Sequence, residues 1–216
     1  MKYTPTIIAF LFGFSLCAQL HSYKVDAQFS ADLTSVEIIQ TAIFYNRTTQ
    51  PLNTLYLNDW THAFSSTTTP MAEHFAEEYS LSFFRASYKK RGRTYIQSIQ
   101  LTQGSELTWK RLKNQPDIIE LPLSNTLNPN EAVSLELRYT LFFPSDRFTR
   151  FGITETNDAH LSTWYLTFAG ITDQGWILES HKNLDDLYVE RSEFDMQVRI
   201  PKEYTITSDF PFTKTK

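Results

Sequence analysis

The chain has 216 residues, enough for one ordinary domain or two small ones, and 20 Lys and Arg against 24 Asp and Glu leave a formal net charge of -4. That balance offers no electrostatic footprint for nucleic acid or an anionic membrane, and 41% hydrophobic with 20% charged residues excludes a disordered tail. Gly at 6 and Pro at 9 exclude collagen-like and low-complexity chains, while 15% aromatic residues favour strands over helices and permit a sizeable core.

Lys2 followed by the apolar run from Ile7 to Leu16 reads as a signal peptide over residues 1–18, too short to span a bilayer. Cleavage after Ala18 would leave Gln19 as the new amino end. Cys17 raises the alternative of a lipid anchor, but Leu16 before it is not the small residue that such an anchor requires. No second hydrophobic stretch of spanning length follows, so no membrane span is expected. The expectation is an exported protein, periplasmic, at the cell surface or secreted, with residues 19–216 as a single domain. Cys17 is the only cysteine, so the mature chain would hold no disulfide. Stability must then come from an apolar core, and thiol catalysis and Cys-type zinc sites are excluded.

Most of the mature chain has a period of two, the signature of strands with one face buried and one wet. Val25, Ala27 and Phe29 alternate with Lys24, Asp26 and Gln28. Weaker strands are expected over 35–46 and 54–57. Residues 70–79 then break the pattern: Pro70 suits a first helical turn, and Met71, Phe75 and Tyr79 fall at i, i+4 and i+8 on one apolar edge. Lys89-Lys90-Arg91-Gly92-Arg93 centres on a glycine between strand candidates and reads as a solvated hairpin tip. Further strands are expected over 94–101, 106–112 and 118–123. The cleanest follows, with Val133, Leu135, Leu137, Tyr139, Leu141 and Phe143 on one face. Beyond it come 161–168, 176–179, the alternation Phe194, Met196, Val198, Ile200, and 204–207. Turn residues punctuate them at Thr49-Gln50-Pro51, Gln103-Gly104-Ser105, Asn128-Pro129-Asn130 and Asp173-Gln174-Gly175. The pattern predicts an all-β fold, an antiparallel β-sandwich with one short helix near 70–79.

Candidate chemistry is sparse. His74-Phe75-Ala76-Glu77-Glu78 is a near miss of H-x-x-E-H, but Glu78 stands where a second histidine ligand would be, so an exposed polar helix edge is the preferred reading. His160 and His181 lie on or near strands and could meet in space, though two structural or solvated imidazoles is the simpler expectation. Asp185-Asp186 could divide acid and base roles only if both faced one site, and neighbours in an extended strand point to opposite faces. Asn46-Arg47-Thr48 fits the glycosylation acceptor pattern. No Gly-rich phosphate loop and no nucleophile elbow are present. No catalytic residue and no metal ligand is assigned from the residues themselves.

Several stretches taken in order carry a resemblance. They are Tyr56-Leu57-Asn58-Asp59-Trp60, Thr69-Pro70-Met71-Ala72, Phe75-Ala76-Glu77-Glu78-Tyr79, Arg147-Phe148-Thr149-Arg150-Phe151-Gly152, Trp164-Tyr165, and Lys182-Asn183-Leu184-Asp185-Asp186-Leu187-Tyr188. From about Tyr23 to Asp209 the chain resembles the amino-terminal domain of aminopeptidase N-type (gluzincin) zinc metallopeptidases. The likeness is greatest to exported members of Bacteroidetes-type bacteria.

The resemblance implies a saddle-like β domain that packs on a helical catalytic domain or subunit carrying H-E-x-x-H and zinc. Neither that motif nor a G-A-M-E-N-like strand occurs in this sequence. The implied role is therefore a non-catalytic scaffold and substrate-cleft domain, with no cofactor of its own, inactive alone, meeting peptide only together with that partner. The family's first domain offers a Glu or Gln from a T-Q-F-E-like strand to the substrate's amino group. The matching stretch here is Thr163-Trp164-Tyr165-Leu166, with Leu166 in place of that group. Trp164 and Tyr165 are the candidate cleft-lining residues, core packing being the other reading. Outside this family, a free-standing exported β-sandwich binding module for peptide or glycan remains open, as does a small hydrolase using Asp185, Asp186 and a histidine.

Overall fold

A computed structural model describes residues 19–184 and 187–214 of the chain. The signal-peptide reading of 1–18 and the Asp185-Asp186 pair fall outside the described residues. In chain order the strands are β1 (His21–Phe29), β2 (Ser35–Tyr45), β3 (Leu52–Asn58), β4 (Arg93–Leu101), β5 (Lys110–Leu112), β6 (Gln115–Leu127), β7 (Ala132–Phe142), β8 (Gly152–Ile153), β9 (Ala159–His160), β10 (Thr167–Phe168), β11 (Gly170–Thr172), β12 (Gly175–Ile177) and β13 (Ser192–Arg199). Helices α1 (Pro70–Glu77) and α2 (Leu81–Arg85) and two 3-10 turns, Trp60–Phe64 and Tyr88–Lys90, lie between β3 and β4.

Two sheets face each other. The larger has the order β13-β1-β2-β7-β4 and the smaller β10-β3-β6-β5. Alternation decides what lies between them. From the large sheet come Val25, Ala27, Val36, Ile38, Phe44, Leu135, Leu137 and Leu141, and from the small one Leu55, Leu57, Ile119 and Leu121, all buried. The fold is the expected all-β, sandwich-like domain. One pairing departs from the antiparallel expectation. β13 runs parallel to β1, with Tyr23 opposite Phe194 and Val25 opposite Met196. A long connection after β12 lets the chain return in the same direction, which no tight hairpin permits. Phe194 and Met196 share the inward face of β1 yet remain 46% and 37% exposed on β13, the edge strand of the large sheet.

The helix near 70–79 forms as α1. Thr69 caps it, its Oγ1 accepting from the Ala72 amide at 3.2 Å and donating to the Ala63 carbonyl at 2.6 Å, with Pro70 in the first turn. Met71 and Phe75 are buried with Ala63, Phe64 and Phe83 in a second apolar cluster. Tyr79 does not join that edge. Its φ is 58° and it is 88% exposed, because the helix has already ended and the chain turns away. α2 escaped the sequence reading, as five residues are too few to show a period.

Other expectations change as well. Lys89-Lys90-Arg91-Gly92-Arg93 is not a hairpin tip: Tyr88–Lys90 is a 3-10 turn and Arg93 opens β4, an edge strand. Of 161–168 only β10 is strand, and 204–207 is none, because neither segment meets a partner strand along most of its length. Asn46 is fully buried, and its Nδ2, the atom a glycan would need, donates to the carbonyls of Gln50 (2.9 Å) and Leu127 (3.0 Å). The acceptor pattern there is a turn-holding amide. No helix among the described residues is long and apolar enough to cross a membrane.

Candidate functional site

The stretches that carry the resemblance are separated by up to a hundred residues or more in sequence, and three of them meet at one cavity of about 250 Å³, joined there by Ser162 and Thr163 just before a fourth. Trp60 comes from the turn after β3. Thr149 and Phe151 come from the loop before β8, Ser162 and Thr163 from the segment before Trp164, and His181, Asn183, Leu184 and Leu187 from the segment after β12.

Buried carboxylates hold two of these walls. The Asp59 amide donates to the Asp117 carbonyl at 2.7 Å, while its carboxylate takes Arg111 Nη2 at 2.7 Å and the Thr94 hydroxyl at 2.5 Å. This fixes the turn that presents Trp60. Asp117 accepts from the His181 amide at 2.7 Å and the Ser180 hydroxyl at 2.8 Å, fixing the opposite wall. Burial raises the Asp117 carboxyl above its ordinary value, and those two hydrogen bonds oppose the shift without cancelling it. The His181 ring meets Phe64 edge-on at 5.8 Å and lies 6.4 Å from Trp60.

Phe151 reaches the cavity because Gly152 follows with φ +127° and places its backbone against Pro144. Two buried polar atoms on the cavity residues, Trp60 Nε1 and Thr149 Oγ1, have no hydrogen-bond partner among the described residues. One indole N–H, three hydroxyls, an amide and an imidazole face Phe151, Leu184 and Leu187 around this cavity, a lining of mixed polar and apolar character.

Trp164 and Tyr165 are half-buried beside this cavity and do not line it. Trp164 packs against Phe29 and Phe143, and Tyr165 lies 5.3 Å edge-on from Phe194 and 6.2 Å from Tyr23. Burial pushes the Tyr165 hydroxyl up to about 12. Leu166, at the position of the family's amino-group contact, is 1% exposed within the core. His74 lies 3.7 Å from Glu77 and 3.3 Å from Glu78, its neighbours along the same helix and its cap. His160 is exposed on β9, opposite Gly152 of β8. Among the described residues no three His, Cys, Asp or Glu side chains converge as a metal-ligand set.

A polar cluster that sequence reasoning missed joins the two ends of the domain. His21 is buried and stacked on Phe44 at 4.6 Å, its Nδ1 accepting from the Tyr45 amide, with Nε2 3.1 Å from Glu190 Oε2. Arg47 pairs with the same carboxylate, and the Ile171 amide donates to its other oxygen at 3.0 Å. Burial alone would raise Glu190, but the contacts with His21, Ile171 and Arg47 hold it below the usual carboxylate range. Residues 143 apart in sequence leave no local signal of such a pair.

No protein-family model matches the chain, and no curated protein matches it. Solved structures do. A two-domain M1 zinc metallopeptidase mutant bound to L-arginine is 14% identical and covers 84% of this chain and 32% of its own, with a TM-score of 0.42. A two-domain M1 zinc metallopeptidase mutant bound to L-tryptophan is 14% identical over 58% of this chain and 20% of its own, with a TM-score of 0.36. The M1 zinc metallopeptidase from Deinococcus radiodurans is 14% identical over 57% of this chain and 19% of its own, with a TM-score of 0.33. The match thus spans about a fifth to a third of the length of these proteins.

Proposed function

We propose that this chain is the non-catalytic amino-terminal domain of an exported zinc aminopeptidase-like metallopeptidase, a scaffold and cleft wall for a helical, zinc-carrying partner. The observation that carries the reading is the convergence of three of the motif segments, with Ser162 and Thr163 beside a fourth, on the Trp60–His181 cavity. The uncovered apolar face of β13, with Phe194 and Met196, supports a packed partner, since apolar surface of this kind is what interdomain contacts bury. Zinc, and the water it would activate, belong in this reading to the partner, and peptide is met only in the assembled cleft.

The test is an aminopeptidase assay of the purified mature chain on a panel of aminoacyl reporter substrates, with zinc content measured on the same sample. No turnover and no zinc are expected. Stoichiometric zinc with chelator-sensitive turnover would overturn the proposal.

A further inference from the structure

A second cavity, of about 510 Å³, lies at the open edge of the large sheet, where β4 meets the turns Trp60–Phe64 and Tyr88–Lys90. Its polar wall is Arg93, His62, Ser65, Tyr88, Tyr95 and Thr140. The antiparallel register sets Arg93 opposite Phe142 and Tyr95 opposite Thr140. The Arg93 guanidinium therefore lies over two rings, 4.0 Å from the Phe142 centroid and 4.2 Å from that of Tyr88. Those contacts fix a planar fork that otherwise makes only a long 3.5 Å approach to the Tyr88 carbonyl. None of the ion pairs among the described residues involves it.

His62 adds a donor. The Thr94 amide donates to its Nδ1 at 3.1 Å, so the neutral ring carries its proton on Nε2. Burial, assisted by the charge of Arg111 and opposed by Asp59, lowers its pKa to about 4, which keeps the ring neutral near pH 7. Ser65, Tyr88, Tyr95 and Thr140 supply hydroxyls, and no carboxylate among the described residues lines the cavity. The nearest buried carboxylate, Asp59, is already taken by Arg111 and Thr94. Lys89, Lys90 and Arg91 lead into β4 and add positive potential.

We propose that this cavity binds the phosphate or sulfate group of a ligand, with Arg93 and His62 Nε2–H as direct donors. Several hydroxyls around one fixed cation suit the three terminal oxygens of a tetrahedral oxyanion better than the two of a carboxylate. The site stands apart from the Trp60–His181 cavity and does not depend on the peptidase relationship.

Calorimetric titration of the mature chain with sodium phosphate, sulfate and acetate, against sodium chloride at matched ionic strength, tests the proposal. Saturable binding of phosphate and sulfate, tighter than acetate and absent with chloride, is expected. Arg93→Gln should weaken it roughly tenfold or more, the scale of losing a charge-assisted hydrogen bond. Lys113→Gln, which removes an exposed cation outside the cavity, should leave it unchanged. If Arg93→Gln does not fold, Ser65→Ala and Tyr95→Phe carry the test, each expected to weaken binding severalfold. Glycerol phosphate and vesicles containing phosphatidylglycerol distinguish the sources: tighter binding of the soluble monoester marks a free ligand, and vesicle binding competed by phosphate marks a lipid headgroup. Responses equal to chloride, acetate as tight as phosphate, or unchanged binding by folded Arg93→Gln would each overturn the proposal.

Discussion

Arg111 on β5 donates to Asp59 at 2.7 Å, and with the Asp59 amide's bond to the Asp117 carbonyl of β6 it ties the turn that carries Trp60, His62 and Phe64 to the small sheet. Asp59 is 2% exposed and Arg111 is largely buried, so the pair is desolvated on both sides. Removing one partner leaves the other charge buried and uncompensated. Asp59→Ala should therefore destabilise the domain by about 3–5 kcal/mol. The double change Asp59→Leu with Arg111→Met should recover much of that loss. Urea denaturation of the three proteins measures both effects, and a double variant less stable than Asp59→Ala would contradict the account.

Inside the core, the hydroxyl of Tyr139 on β7 donates to Gln40 Oε1 on β2 and accepts from the Leu166 amide at 3.2 Å. Gln40 Nε2 donates to the Leu166 carbonyl at 2.7 Å. Burial raises the Tyr139 hydroxyl well above its ordinary value, so the proton stays on it as a donor. Tyr139→Phe orphans two buried groups without changing the packing shape and should cost about 1–3 kcal/mol. A shift in the denaturation midpoint at constant slope is the expected result.

The depressed His62 sets a pH window. Its pKa is about 4 in the fold against an ordinary 6.5, so the unfolded chain binds more protons between those values. Stability from this group is therefore complete above about 6.5 and is lost as pH falls toward about 4, in total on the order of 3 kcal/mol. Thermal melts of the wild type and His62→Gln should converge in slope above that window and diverge within it, the variant showing the flatter decline.

Gly152 occupies φ +127°, and a Cβ there would stand 2.0 Å from the Pro144 carbonyl oxygen. Gly152→Ala meets both the strained dihedral and a backbone clash, so a loss of roughly 3 kcal/mol or more is expected. Gly104 has φ +98° with open space around its Cβ, and Gly104→Ala should cost about 1 kcal/mol. Comparing the two midpoints separates strain from clash.

Alternation in the sequence determined much of this protein. Val25, Ala27 and Phe29, the run from Val133 to Phe143, and Met71 and Phe75 of the Pro70 helix sit where their periods place them, because a strand or helix face is a local property of residues two or four apart. The order of the motif stretches was equally legible. What only the tertiary structure decided is where strands without local turns go. The parallel return of β13 beside β1, the burial of Leu166 against Gln40 and Tyr139, and the Arg47–Glu190–His21 cluster all join residues that chain direction alone keeps far apart. The two cavities belong to the same class. Trp60 and His181, or Arg93 and His62, become neighbours only when sheet order brings their segments together, and pairing between distant segments leaves no period in the sequence.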